Sequence, residues 1–144
     1  MAESLIARAD VDVQASPSAV WAALTDPQAI AQYMFGTAAR STWTEGSPVT
    51  WSGTWQGRSY EDKGVVLTAQ PGRRLRFTHF SPLAGLPDVP ENYHTVTIDL
   101  SGDGTGTHVT LVQDKNETEE ARAHSQQNWV MVLEGLKKYV EAQG

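Results

Sequence analysis

The first apolar residues of the chain follow the period of a β-strand. In the segment from Leu5 to Gln14, alanine and valine at positions 9, 11 and 13 alternate with polar residues. Because successive side chains of a strand point to opposite faces, this period of two predicts a strand with one buried face.

Two short helices are predicted after this strand. Ser16-Pro17 offers an N-cap followed by proline at the first helical position, where its missing N–H costs nothing. Apolar residues then recur at helical spacing until Asp26-Pro27, where this helix ends. A second helix is predicted from Pro27 to about Met34, before Gly36.

Between Thr37 and Asp114 the pattern changes to short β-rich runs separated by turn residues, as at Gly102-Asp103-Gly104. Turns of this composition commonly join antiparallel strands. The runs between them predict strands near residues 39–44, 48–56, 58–69, 74–80, 92–101 and 106–114.

After Asp114 the period returns to that of a helix. Asn116, with Glu119 three residues later, is typical of a capping box. Roughly 26 residues at ~1.5 Å each give a helix about 39 Å long, enough to cross a whole sheet. One stripe runs along it to the end of the chain: Ala121, Ser125, Trp129, Val132, Leu133, Leu136 and Val140.

The order of these elements predicts an α+β fold in a single domain, residues 1–144. The length is close to the ~150 residues of a typical domain. The sheet comes from consecutive antiparallel strands, and the long helix must bury its apolar stripe on that sheet.

The composition of the chain argues against several classes of partner and site. With Lys+Arg 11 against Asp+Glu 17 the formal charge is −6, which argues against a nucleic-acid partner. The absence of cysteine excludes disulfides, thiolate nucleophiles and cysteine-type zinc sites. The apolar stretch Trp129–Leu133 is far shorter than the ~20 residues that span a bilayer, and no secretory signal is visible at the start. We therefore expect a cytoplasmic protein with no membrane partner.

Three stretches of the sequence resemble a known family. They are VWAALTDP at Val20–Pro27, PGRRLRF at Pro71–Phe77 and GTGTHVTL at Gly104–Leu111. In this order they are similar to the heat-shock protein 90 ATPase activator homologue-like domains of the START-like (SRPBCC, Bet v-type) superfamily. Asn128-Trp129 stands where such domains commonly carry a Gly-Trp pair, so one member of that pair differs.

The resemblance implies a helix-grip fold. In this fold a curved antiparallel sheet of six or seven strands wraps around a long C-terminal helix over a cavity. The superfamily includes lipid carriers, hormone receptors, polyketide cyclases and co-chaperone domains, so the fold alone does not choose the function.

The alternation of side chains along the strands, called strand parity below, predicts three polar side chains at one end of an apolar face. His79 shares a face with Phe77, while His94 and Gln113 begin and end the apolar faces of the next two strands. If these strands are sequential antiparallel neighbours, His79, His94 and Gln113 lie together. Each histidine alone is more commonly a structural or surface residue, and their convergence is what favours a site.

The long helix starts just after Gln113, so its first turns are expected over the same end of the sheet. His124 and Asn128, at i and i+4, are predicted to point at this region, and the helix from Trp129 onward is expected to cover dry core. We therefore predict an apolar cleft with a polar end between helix and sheet, a usual form of small-ligand site.

Two further features concern this cleft. Trp51 and Trp55 share a strand face with Gly53, and they are candidates equally for core and for cleft lining; the glycine leaves room for a ligand or marks a bulge. The segment Ser81–Glu91 is longer than a hairpin needs, and it is predicted to be a loop that covers the mouth.

The favoured function is binding of a small hydrophobic or amphipathic molecule, with no cofactor. One alternative is a cyclase- or hydrolase-type enzyme with a cleft histidine as general base and Glu61 or Asp62 as its carboxylate partner. Another is a chaperone-interacting domain, as the resemblance implies. Metal binding is disfavoured because no HxH, HxxxH or HExxH spacing occurs. The oligomeric state stays open between monomer and homodimer.

Overall fold

The computed structural model of this protein describes residues 5–34, 36–55, 57–82 and 85–143, with the backbone alone at Trp55. Its helices are α1 (Pro17–Thr25), α2 (Pro27–Tyr33) and α3 (Glu119–Gln143). Its strands are β1 (Leu5–Val13), β2 (Ala38–Arg40), β3 (Pro48–Trp55), β4 (Arg58–Gln70), β5 (Arg74–His79), β6 (His94–Gly102) and β7 (Thr107–Asn116).

The strands form one antiparallel sheet in the order β1-β7-β6-β5-β4-β3-β2. β5, β6 and β7 are antiparallel neighbours, as the predicted meeting of His79, His94 and Gln113 requires. His79 is the cross-strand partner of His94. α3 packs against β1 and β7 and against α2. This arrangement is the helix-grip fold, and the α+β prediction is confirmed.

Local hydrogen bonds start both short helices as the sequence predicts. The Oγ of Ser16 accepts a hydrogen bond from the N–H of Ala19 at 3.2 Å, and Oδ1 of Asp26 accepts one from the N–H of Gln28 at 3.1 Å. In each helix proline follows the cap. These caps fix where the chain leaves β1 and turns onto the sheet.

The cap of α3 is Thr118, and the capping-box prediction at Asn116 is wrong. Oγ1 of Thr118 accepts a hydrogen bond from the N–H of Ala121 at 3.0 Å. Asn116 belongs to β7, where Lys115 has a φ of 58° and the register with β1 shifts. This bulge turns the Asn116 side chain inward, where it is buried and donates to the carbonyl oxygen of Leu5 at 3.0 Å.

The strand predicted at residues 39–44 is shortened to β2. Trp43 has a φ of 57°, in the left-handed region, which is incompatible with strand geometry. The Oγ of Ser41 accepts from the N–H of Trp43 at 3.0 Å, and the Oγ of Ser47 donates to the carbonyl oxygen of Thr44 at 2.6 Å. These local bonds fold residues 41–47 into a loop.

The core lies between the inward face of the sheet and the apolar stripe of α3. Burial alternates along β7 up to the bulge, with Val109, Leu111 and Gln113 buried and their neighbours more exposed. Leu133 and Leu136 of α3 are fully buried against this face. Of the helices in the described ranges, none has a stretch long and apolar enough to cross a membrane.

Candidate functional site

A cavity of about 330 Å³ lies between the sheet and the helices. Strands β3, β4 and β5 form one wall, with single residues from β6 and β7, while α2 and the middle of α3 form the other. Most of the lining is apolar or aromatic. The volume is at the low end of the range for small-ligand pockets.

The cavity lies farther along α3 than the sequence predicts. Trp129, Leu133 and Leu136 line it, although this part of the helix was expected to cover dry core. The first turns of α3 are instead bonded to the end of β7, where the Oγ of Ser125 donates to Oδ1 of Asn116 at 3.0 Å. The start of α3 is thus held against β7, and the cavity lies beside the middle of the helix.

A histidine and a carboxylate from neighbouring strands form the polar end of the cavity. The Nε2–H of His79 donates to Oδ2 of Asp62 at 2.9 Å, and the side chains are 30% and 17% exposed. Both line the cavity. In a neutral imidazole this bond leaves the lone pair on Nδ1. The ring of Trp51 meets the imidazole edge-on, with centroids 5.1 Å apart.

Strand register explains why the carboxylate is Asp62 and not Glu61. Asp62 is the cross-strand partner of Trp51, so both face inward, while Glu61 is exposed on the other face. At Gly64, β4 lies so close to β5 that an added Cβ would be 1.7 Å from the carbonyl oxygen of Thr78. This close approach brings the carboxylate within hydrogen-bond reach of the imidazole.

His94 and Gln113 lie on the same face as His79, but one polar side-chain atom of each is already bonded to the protein itself. The rings of His79 and His94 are 6.4 Å apart, and the Nδ1–H of His94 donates to the carbonyl oxygen of Asp114 at 2.9 Å. Oε1 of Gln113 accepts a hydrogen bond from Nε1–H of Trp129. Parity therefore places the three correctly, but of the three His79 alone lines the cavity.

The remaining predicted site residues divide between cavity and surface. Phe77 and Trp51 line the cavity, with ring centroids 5.3 Å apart. His124 and Asn128 are exposed, so the prediction that they point into the cleft is wrong: they precede the stripe residues by one position, a rotation of about 100° on a helix. The side chain of Trp55 lies outside the described residues.

Two hydroxyl groups form a second polar patch in the cavity, which the sequence pattern does not predict. Oη of Tyr60 and Oγ1 of Thr37 are 2.6 Å apart, and both residues line the cavity. Gly53 is the cross-strand partner of Tyr60, and an added Cβ would be 2.7 Å from Oη. The register is continuous there, so Gly53 marks no bulge and makes room for the tyrosine ring.

Trp43 is a further cavity residue that no sequence pattern indicated. Its Nε1–H is buried and has no hydrogen-bond partner among the described residues. Trp43 also lines a groove on the outer surface, beside Trp21. A positive φ at a bulky residue costs about 1–3 kcal/mol and marks a position that its surroundings hold in place.

Apart from Asp62 and His79, the described residues that line the cavity carry no charged side chain. Burial raises the pKa of Tyr33 far above its usual value, and its hydroxyl donates to the carbonyl oxygen of Ala23 at 3.0 Å. Within the described ranges, no group of three or more His, Cys, Asp and Glu side chains could hold a metal ion. The site can therefore offer a ligand an apolar enclosure, one carboxylate–imidazole pair and a few neutral donors.

Comparisons with solved structures agree with this fold. The chain is similar to ChR145 from Cytophaga hutchinsonii, with 48% identity over 99% of this chain and 98% of that chain and a TM-score of 0.85. Protein MLL2253 from Mesorhizobium loti is 21% identical over 96% and 98% of the two chains, with a TM-score of 0.77. The Aha1 dimer from Colwellia psychrerythraea is 19% identical over 94% and 96%, with a TM-score of 0.73. The last two show the fold alone.

The family itself follows from the sequence match. No curated protein matches the chain. Residues 14–141 match the family described as Activator of Hsp90 ATPase homolog 1-like protein. Because this match spans nearly all of the 144 residues, the chain belongs to the Activator of Hsp90 ATPase homolog 1-like protein family.

Proposed function

We propose that this protein binds one small, largely apolar molecule in the cavity between the sheet and α3. The observation that carries the proposal is the cavity itself, about 330 Å³ of space inside the domain. Protein interiors are otherwise packed as densely as organic crystals, with few voids larger than a water molecule. An apolar enclosure with a few convergent polar groups is the usual form of a small-ligand site.

Aromatic side chains support a ligand with a flat apolar part. Trp43, Trp51 and Trp129 line the cavity, together with Phe77. Aromatic pairs in offset or edge-to-face contact contribute about 0.5–1.5 kcal/mol beyond the area that they bury. The three tryptophans also make ligand binding visible as a change in intrinsic fluorescence.

Native mass spectrometry of the purified protein and a thermal-shift screen of lipophilic compounds test the proposal. A ligand at 100 times its Kd stabilises the folded state by about 2.7 kcal/mol. For a domain of this size that corresponds to a rise in Tm of roughly 5–10 °C. We expect such a rise for members of the library that fit the cavity.

A pair of variants on one helix provides the control. Val132 lines the cavity and is 8% exposed, whereas Val130, two residues away, is 40% exposed. Val132→Phe fills part of the cavity and is expected to abolish the ligand-induced shift, while Val130→Phe leaves it unchanged. Equal shifts in both variants, or no shift with any compound, would contradict the proposal.

A second candidate function is catalysis by His79 as general base, because its imidazole is bonded to Asp62 inside the cavity. A carboxylate that orients a histidine and stabilises its charged form is a recurring device in proton transfer.

Chaperone interaction, which the family description suggests, stays a prediction that a pull-down with the chaperone would test.

Turnover of aryl esters and of ketone substrates tests the catalytic candidate. General-base catalysis contributes about 10²–10⁴-fold, so His79→Gln is expected to lower turnover at least 100-fold. His124→Gln removes an exposed histidine of α3 and is expected to have no effect. If no substrate is turned over, or both variants retain full activity, binding alone remains.

A further inference from the structure

The carboxylate in the cavity has one oxygen in use and one free. Oδ2 of Asp62 accepts the hydrogen bond from His79, whereas Oδ1 is buried and has no hydrogen-bond partner among the described residues. A buried acceptor without a donor is costly, and more so when it is charged. Because Asp62 lines the cavity and its side chain is 17% exposed, a small rotation of the carboxylate lets a ligand bring the missing donor to Oδ1.

The lysine next to this carboxylate in the chain is bonded elsewhere. Lys63, next to Asp62, pairs with Asp88 outside the cavity. Of the described residues that line the cavity, none is lysine or arginine.

This distribution of charge acts against anionic ligands. A ligand carboxylate in the cavity would lie close to the Asp62 carboxylate, in surroundings where charges are poorly screened. It would also lose its hydration without gaining a cation, which is costly for any buried charge. An uncharged molecule avoids both penalties.

We propose that the cavity selects an uncharged lipophilic ligand with a hydroxyl group, which donates a hydrogen bond to Oδ1 of Asp62, and that it rejects carboxylates of the same shape. This inference rests on the proposed function, because it specifies the ligand of the same cavity. The unpartnered Nε1–H of Trp43 favours an acceptor on the ligand as well, and a hydroxyl or carbonyl oxygen supplies one.

Three probes of one shape test the selection: naphthalene, 2-naphthol and 2-naphthoate, measured at pH 7.5 by quenching of tryptophan fluorescence. Hydrogen bonds to charged groups contribute more than neutral ones, so we expect 2-naphthol to bind about tenfold more tightly than naphthalene. We expect 2-naphthoate to bind more weakly than naphthalene.

Two variants distinguish the effect of the Asp62 carboxylate on ligand affinity from the effect of the protein's overall charge. Asp62→Asn removes the charge in the cavity, and it is expected to reduce the preference for 2-naphthol and to raise the affinity for 2-naphthoate. Glu61→Gln removes the same charge from the exposed neighbouring position, and it is expected to leave all three affinities unchanged. If Asp62→Asn does not fold, the order of the three probes on the unaltered protein decides.

The outcomes distinguish this inference from the proposed function. Equal affinities for naphthalene and 2-naphthol would mean that the ligand hydroxyl makes no useful bond to Oδ1 of Asp62, and a preference for 2-naphthoate would mean that the site accepts anions. Either result overturns the selection and leaves a lipophile-binding cavity. If none of the probes binds and no lipophile raises Tm, both proposals fail.

Discussion

Trp129 on α3 donates its indole N–H to the side-chain oxygen of Gln113 on β7. The bond joins the long helix to the sheet beside the cavity, which Trp129 lines. It gives the buried amide of Gln113 a structural role, since its oxygen holds the indole in place. Part of the polar end predicted for the cleft thus serves to hold α3 on the sheet.

Gln113→Leu is expected to destabilise the protein by about 1–3 kcal/mol. The variant removes the acceptor and leaves the part-buried N–H of Trp129 without its partner, and an unsatisfied donor that water reaches poorly lowers stability. Urea denaturation followed by tryptophan fluorescence measures the change. Gln127→Leu replaces an exposed glutamine on α3 and is expected to change stability by less than about 0.5 kcal/mol. Similar losses in both variants would show that the bond contributes nothing.

Sequence periodicity predicted the elements of this fold because burial repeats faithfully along them. The alternation in β1 and β7 and the stripe on α3 report directly which face meets the core. The exceptions are places where the backbone leaves its regular path. The positive φ at Lys115 turns Asn116 inward, and the one at Trp43 shortens β2.

The site was harder to predict than the fold because it depends on relations between elements. Parity correctly put His79 and His94 on one face, but nothing in the sequence fixes the register that sets Asp62 opposite Trp51. The helix residues His124 and Asn128 were misplaced by one position of helical phase. A local pattern carries no information on which neighbour already satisfies a polar group.

Gly64→Ala is expected to destabilise the fold by about 3 kcal/mol or more. An added Cβ would lie 1.7 Å from the carbonyl oxygen of Thr78, so β4 and β5 must separate, and overpacking of backbone against backbone is poorly relieved. The same separation is expected to break the bond between His79 and Asp62.

The control is Gly104→Ala, because nothing lies within 4 Å of a Cβ at Gly104. Its effect on stability is expected to be within about 0.5 kcal/mol. Denaturant unfolding measures the two variants side by side. A Gly64→Ala protein as stable as the original would show that the two strands can part without loss.

His108 is expected to titrate above its ordinary pKa of about 6.5. Its Nδ1 is 2.7 Å from Oδ1 of Asp12, and this hydrogen bond is the main cause of the raised pKa; Nε2 is 3.2 Å from Oδ2 of Asp10. NMR titration of the imidazole proton measures it. Asp12→Asn is expected to lower the pKa of His108 more than Asp10→Asn does, and the reverse order would contradict the geometry.

The raised pKa of His108 also gives the sign of a pH dependence. Since the folded protein holds the proton more tightly, the stabilisation is fully present below the unfolded pKa of about 6.5 and is lost as the pH rises through the folded pKa. The group is largely exposed, so screening limits the effect to roughly 0.5 kcal/mol or less. In His108→Gln the free energy of unfolding is expected to vary less across this window.

Asp88 anchors residues 85–93, which overlap the segment that the sequence predicts to cover the cavity. Oη of Tyr93 donates to Oδ1 of Asp88 at 2.6 Å, and Nζ of Lys63 pairs with Oδ2. The hydrogen bond from Lys63 holds the pKa of Asp88 below its usual range, so the anchor stays charged into mildly acidic solution. Ser81, at the start of the same loop, lines the cavity, so movement of the loop would reach the ligand.

Asp88→Ala is therefore expected to raise amide hydrogen exchange in residues 85–93 and to speed ligand dissociation several-fold, while Kd changes less than the rates do. Stopped-flow fluorescence with a bound lipophile measures the rates, and Glu91→Gln, exposed in the same loop, is the matched control. Faster exchange with unchanged dissociation would mean that the ligand leaves by another route. The surface groove at Trp43 would then be the route to test, because that residue lines both the groove and the cavity.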